Sequence, residues 1–134
     1  MAFTRIIYRS RAVGNNRARD FFDIIAASER NNPLRQVTGF LLDNGEDFLQ
    51  YLEGPPMEVE ALLAVIEADS RHEGMAIIHR ESAEERLLGD WSMKPLVRLG
   101  GPPALRELAQ LLEGRQGGTH VLAEVERFAG LTQF

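Results

Sequence analysis

The chain contains no cysteine. Disulfides, zinc–thiolate sites, thiol nucleophiles and cysteinyl cofactor adducts are therefore excluded, and the composition fits a reducing compartment. Aromatic residues are scarce, at 7%, with one tryptophan and two tyrosines, so each can be weighed individually. No stretch approaches the roughly 18 apolar residues of a membrane-spanning helix. Met1-Ala2-Phe3-Thr4-Arg5 runs straight into a strand pattern and has none of the apolar length of a signal peptide. Basic residues are not in excess: 15 Lys and Arg stand against 20 Asp and Glu, a net charge of −5. That balance argues against a general phosphate-binding surface. These absences predict a cytoplasmic protein with no membrane or direct nucleic-acid partner, and no metal-ligand cluster is visible.

What remains is an ordinary globular composition, 44% hydrophobic and 26% charged over 134 residues. That length supports one self-sufficient core. Residues 3–10 alternate around a β-branched centre and predict a first strand. Residues 17–31 predict a helix with Phe21, Ile24, Ile25 and Ser28 on one face. Pro33 should end it, because the residue before a proline disfavours helical backbone. Residues 36–42 and 47–53 predict a hairpin around Asp43-Asn44-Gly45-Glu46. Pro55 and Pro56 open a second helix with an apolar stripe of Val59, Leu62, Leu63 and Ile66. Residues 75–80 predict a fourth strand and 91–97 a fifth. The order is that of a ferredoxin-like βαββαβ sheet of the α+β class with an added fifth strand and two helices on one face. Strands one and three are expected as parallel central neighbours. Beyond Gly100-Gly101-Pro102-Pro103, Leu105, Leu108, Leu111 and Leu112 mark one tail helix. Val121, Leu122, Val125 and Phe128 mark another, with Thr119 as its cap. Such short helices are not stable alone and must pack on the sheet, on each other or on a partner. The division is thus a sheet-and-helix body, 1–98, and a helical extension, 99–134, acting as a cap or as a docking or oligomerisation element.

The third strand carries the most informative pattern. Phe48, Gln50 and Leu52 share a face, so a glutamine is set between two apolar residues where burial is expected. A buried amide must be paired. Tyr8 occupies the equivalent place on the first strand, and Asn31 and Asn32 lie near the end of the intervening helix. Each has a structural explanation when taken alone. Tyr8 could be a core tyrosine, Asn31-Asn32 a helix end, Trp91 a packing anchor, and Arg71-His72 a surface pair. Together they suggest recognition of a flat polar ligand.

As a set these residues resemble the BLUF family of blue-light sensors that bind a flavin, usually FAD. The matching positions are Tyr8, Ser10, Arg11 and Ala12; Ser28, Asn31 and Asn32; Thr38, Gly39, Leu41 and Leu42; Phe48, Gln50, Leu52, Glu53 and Gly54; Arg71 and His72; and Asp90, Trp91, Ser92 and Met93. The resemblance covers residues 3–97. It implies a non-covalent FAD, with FMN as the alternative. Tyr8 would be the electron and proton donor and Gln50 the hydrogen-bond switch. Asn32 would hold the polar edge of the flavin, helped by Asn31 and Arg71, with Ser28 also at the site. Ile24 and Ile66 would sandwich the ring, and His72 would lie near the ring or the phosphates. Trp91 and Met93 would lie on strand five, where the signal leaves. The 37 residues after Val97 are too few for a cyclase or phosphodiesterase, so the resemblance is to short members that are not enzymes. Such members act through a protein partner or a change in homo-oligomeric assembly. The rival readings are a small flavin-dependent oxidoreductase, for which no glycine-rich dinucleotide fingerprint is present; a small ferredoxin-like hydrolase, supported only by Arg11 and Gly14; and a flavin-free ferredoxin-like interaction module.

Overall fold

Strand β1 (Phe3–Ala12) and strand β3 (Asp47–Gly54) form the centre of a five-stranded sheet of order β4-β1-β3-β2-β5. The other strands are β2 (Thr38–Asp43), β4 (His72–Ala83) and β5 (Lys94–Val97), and the helices are α1 (Arg17–Arg35), α2 (Pro56–Glu67), α3 (Gly101–Leu112) and α4 (Gly118–Ala129). The structure is a computed structural model that describes residues 2–13, 17–44, 46–89, 94–97 and 101–130.

The element order is the expected one, but β1 and β3 run antiparallel, with Tyr8 opposite Gln50. The reason is geometric. The α1 crossover returns β2 parallel to β1 and one strand away. The hairpin then reverses the chain, so β3 fills the gap and opposes both neighbours. Asn44 closes that hairpin, its Oδ1 accepting from the Glu46 and Asp47 amides at 3.0 and 2.8 Å. Only β5 is parallel to its neighbour, β2.

Two helix boundaries also differ from expectation. Pro33 lies inside α1. The helix runs on through Pro33 to Arg35, forgoing the one backbone donor that proline lacks, and stops where Gln36 takes a left-handed φ of 60°. Gln36 and Val37 then donate to the Pro33 and Asn32 carbonyls at 3.1 and 3.0 Å, the Schellman closure of a helix end. Asn31 and Asn32 are therefore helical. The α4 helix begins after Gly117, φ 86°, and Thr119 is inside it. Glycine suits 117 because that φ lies in the left-handed region, and a Cβ there, 2.4 Å from Arg5 Nη1, would also push the guanidinium aside. β4 also extends beyond its predicted 75–80, with register shifts opposite Ile7/Tyr8 and Arg9/Arg11.

Both sheet faces are covered. On one, Ile6, Tyr8, Leu41, Phe48 and Leu52 pack under Phe21 and Ile25 of α1 and Val59 and Leu63 of α2. On the other, Ile7, Phe40, Leu42, Leu49 and Tyr51 pack under Leu108 and Leu112 of α3 and Val121, Val125 and Phe128 of α4. The amphipathic tail helices thus lie on the sheet face opposite α1 and α2. Glu53 pins this second layer. It is fully buried, and its carboxylate accepts from Tyr51 Oη at 2.6 Å, the Leu87 and Leu88 amides at 2.8 and 2.7 Å, and Thr38 Oγ1 at 3.1 Å.

Gly39 allows β2 and β3 to approach closely, since a Cβ there would stand 1.8 Å from the Tyr51 carbonyl oxygen. Gly39→Ala is expected to lower stability by about 3 kcal/mol through backbone overlap. Denaturant unfolding at an unchanged midpoint would refute it.

Candidate functional site

The cleft between α1, α2 and the first sheet face is lined by Tyr8, Ile24, Ser28, Asn32, Leu41, Phe48, Gln50, Leu62, Ile66, Asp69 and His72. Its floor is the β1–β3 pair. Pleat alternation turns Tyr8 and Gln50 to the same side, and the antiparallel register sets them directly opposite. The Tyr8 hydroxyl donates to Gln50 Oε1, with both residues almost completely buried. The amide predicted to need a partner therefore has one, through its carbonyl end. Burial pushes the Tyr8 hydroxyl well above the ordinary tyrosine range, and the Asp69 carboxylate adds to the effect. Tyr8 thus keeps its proton throughout the neutral range.

The walls are apolar and the rim is polar. Ile24 of α1 and Ile66 of α2 line the cleft from its two helices. Asn32 is 2% exposed, and its Nδ2 is buried without a hydrogen-bond partner. A donor left like that costs about 1–3 kcal/mol, so it marks where a ligand acceptor would be welcomed. His72, at the start of β4, closes the end of the cleft. The Ile66 carbonyl can only accept, so His72 Nε2 carries the proton towards it. Nδ1 then accepts from Ser10 Oγ at 2.7 Å when the ring is neutral. The His72 and Tyr8 rings stand 6.2 Å apart.

Seven of the predicted positions, Tyr8, Ile24, Ser28, Asn32, Gln50, Ile66 and His72, meet in this one cleft. Asn31 is on the exposed side of α1, and Arg71 is not among the lining residues. Arg71 instead bonds Asp69 through Nε, at 2.9 and 3.1 Å to the two carboxylate oxygens. That guanidinium holds Asp69 below the usual carboxylate range, against the push of burial. Asp69 raises Arg71 in turn, with Asp20 and Asp23 of α1 contributing. Trp91 and Met93 lie outside the described residues. Asp69 is the cleft residue that sequence reasoning passed over. Its only local signal was its place between helix and strand, two residues before a candidate arginine. Among the described residues no cluster of three or more acidic or histidine side chains could hold a metal ion.

The comparisons agree with this geometry. Residues 3–94 match the family model described as BLUF, sensors of blue-light using FAD.

The chain belongs to the BLUF family.

BLUF domains bind flavin, and the cleft suits such a group: apolar walls for a flat ring, and at its edge a buried amide donor lacking an acceptor. Among curated relatives, the blue light- and temperature-regulated antirepressor BluF of Escherichia coli (strain K12) is 32% identical over 91 residues. That match covers 68% of this chain and 23% of BluF, so the chain spans about a quarter of that relative's length. Among solved structures, dark-state BlrB, a BLUF protein, matches with a TM-score of 0.73 at 32% identity, covering 97% of each chain. Klebsiella pneumoniae BlrP1 with FMN and cyclic diGMP matches with a TM-score of 0.74 at 26% identity, covering 94% of this chain and 36% of that one.

Proposed function

We propose that this BLUF protein is a blue-light photoreceptor in which the Tyr8–Gln50 pair reads the state of a non-covalently held FAD. The observation that carries this reading is the buried Tyr8–Gln50 hydrogen bond beside the unpartnered Nδ2 of Asn32, in a cleft walled by Ile24 and Ile66. A bound flavin supplies the absorption of blue light and an excited state that accepts an electron and a proton. Tyr8 is the donor, because a phenol can give up both together and its proton is retained in the dark by burial. Gln50 is the switch, because its side chain carries an acceptor and a donor on one rotatable group. Exchanging those two ends alters the hydrogen bonds at the cleft without moving the backbone. Asn32 holds the flavin's polar edge, Ser28 and His72 complete the rim, and Asn31 and Arg71 assist at the entrance. Signal exit through the β5 region, with Trp91 and Met93, and through the α3–α4 layer completes the scheme.

The family description favours FAD, and the FMN-bound relative supports FMN as an acceptable substitute. We read the chain as a non-enzymatic, cytoplasmic sensor that acts through a protein partner or a change in assembly. Among the described residues no helix is long and apolar enough to cross a membrane.

The deciding experiment is the absorption spectrum of the purified protein in darkness and after blue light. A flavin spectrum that moves slightly to the red and recovers in the dark is expected. A flavin spectrum indifferent to light would favour an oxidoreductase, and a colourless protein that cannot be reconstituted would favour the interaction module. Gln50→Leu and Gln50→Glu should retain flavin and lose the red shift, since leucine offers neither a donor nor an acceptor and an ionised glutamate has no donor. A normal shift in either variant would contradict the switch.

A further inference from the structure

The sheet face turned away from the cleft carries a contact that the photochemical scheme does not use. Arg9 follows Tyr8 on β1, so the pleat turns it to the α3–α4 side, as it does Ile7. Its guanidinium donates twice to Asp47 Oδ2 of β3, from Nε at 3.0 Å and from Nη2 at 2.7 Å. Guanidinium N–H bonds lie in the plane of the group, so these two leave its faces for an aromatic contact. Arg9 Cζ lies over the Phe128 ring of α4, 4.9 Å from the centroid. Phe128 is buried in the same apolar cluster as Leu49, the β3 residue directly opposite Arg9. The β1–β3 pair is thus tied on both faces at neighbouring positions: Tyr8 to Gln50 towards the cleft, and Arg9 to Asp47 towards α4. Asp47 is itself fixed by the hairpin, through its amide on Asn44 Oδ1. The other end of α4 is held separately, by Arg5 donating to the Gln116 carbonyl at 3.0 Å.

We propose that Arg9 is a positioning residue that couples the Tyr8–Gln50 bond to the last turn of α4. The coupling takes its light-driven step from the photoreceptor reading. Its two-state element is the Gln50 amide, which presents either its acceptor or its donor to Tyr8. The strand path need not change for the exchange to be felt. The Tyr8–Gln50 bond holds β1 against β3 one residue from Arg9. When that bond weakens, Arg9 and Asp47 are held in register less firmly. The pairing with Asp47 and the stack on Phe128 share one guanidinium, so a looser pair aligns its face with the ring for less of the time. The sheet end of α4 then keeps only the apolar contacts of Phe128, and its last turn opens more often.

Hydrogen exchange on the full flavin-loaded chain, in darkness and under blue light, tests this. In the natural chain light should lower the protection of the Val125 to Phe128 amides roughly two- to tenfold, the range for coupled sites, and leave Val121 unchanged. Arg9→Gln should keep the red shift and lose that difference. Arg9 is half exposed, so this exchange should leave the fold intact. Phe128→Leu keeps an apolar side chain, removes the ring and should uncouple α4 in the same way. A merely structural tie would lower dark protection in both variants and leave the light difference standing. A cycle in the dark separates the coupling from the photoreceptor reading. Tyr8→Phe cannot make the bond to Gln50, so it should loosen the Val125 to Phe128 amides, and it should add nothing in an Arg9→Gln background. Absence of any red shift would refute the photoreceptor reading, and the dark cycle would still decide the coupling. Arg9 would lose its role if the natural chain changed colour with no change at α4, if the light difference persisted in Arg9→Gln, or if Tyr8→Phe loosened α4 equally with and without Arg9.

Discussion

Tyr8→Phe is expected to keep flavin and fold while abolishing the light-induced red shift completely. The change removes one oxygen at the floor of the cleft and leaves the ring in place beside His72. Gln50 Oε1 loses the Tyr8 hydroxyl as donor, a stability cost of about 1–3 kcal/mol for a buried acceptor. No other tyrosine can substitute. The second one, Tyr51, points to the opposite face, is stacked on Phe40 with centroids 5.5 Å apart, and gives its hydroxyl to Glu53. Tyr51→Phe should accordingly leave the spectral shift intact. Difference spectroscopy of the two variants decides the matter, and a shift that survives Tyr8→Phe would remove Tyr8 from the photochemistry.

The largest loss of stability is expected from Glu53→Ala. Four donors converge on this carboxylate, and removing it strands the Leu87 and Leu88 amides, Thr38 Oγ1 and the Tyr51 hydroxyl in a buried region. Even if water reaches some of them, the loss should exceed about 3 kcal/mol, measured by urea unfolding. The damage should centre on the 84–88 connection. Arg86 holds that connection to the Gln36 carbonyl at 2.6 Å, and the Arg115 side chain donates to the Arg86 carbonyl. A variant as stable as the natural chain would show that the carboxylate is dispensable.

Much of this arrangement was readable from residues alone, and the reason is periodicity. Phe48, Gln50 and Leu52 alternate cleanly, so the burial of an amide and its need for a polar partner followed from the pleat, while Tyr8 as that partner followed from the strand order. Helical spacing placed Ile24, Ser28 and Ile66 on the inner faces of their helices, and the family resemblance, not the spacing, assigned them to the site. Other features depend on contacts between distant elements. The antiparallel sense of β1 and β3 comes from the hairpin reversal, a topological fact that strand patterns do not encode. Pro33 misled because the rule for the residue before proline ignores the closure that Gln36 and Val37 supply. Asp69 could be assigned only once α2 and β4 had brought it to the cleft. Glu53 had a legible sign that was not used: it follows Leu49 and Tyr51 in the odd-numbered series of a strand buried on both faces, where a lone acid demands donors.

The two-sided burial of β3 has a genetic consequence. Substitutions at 48 and 50 meet the cleft and those at 52 the core beside it, whereas those at 49, 51 and 53 meet the α3–α4 layer. A position-by-position mutational scan along this strand should therefore oscillate: colour and photocycle phenotypes at even positions, and blindness of the output in proteins that still change colour at odd ones. Neighbouring codons would then fall into different complementation classes, and a map of alleles drawn without the fold would look scrambled where the strand is in fact keeping strict time.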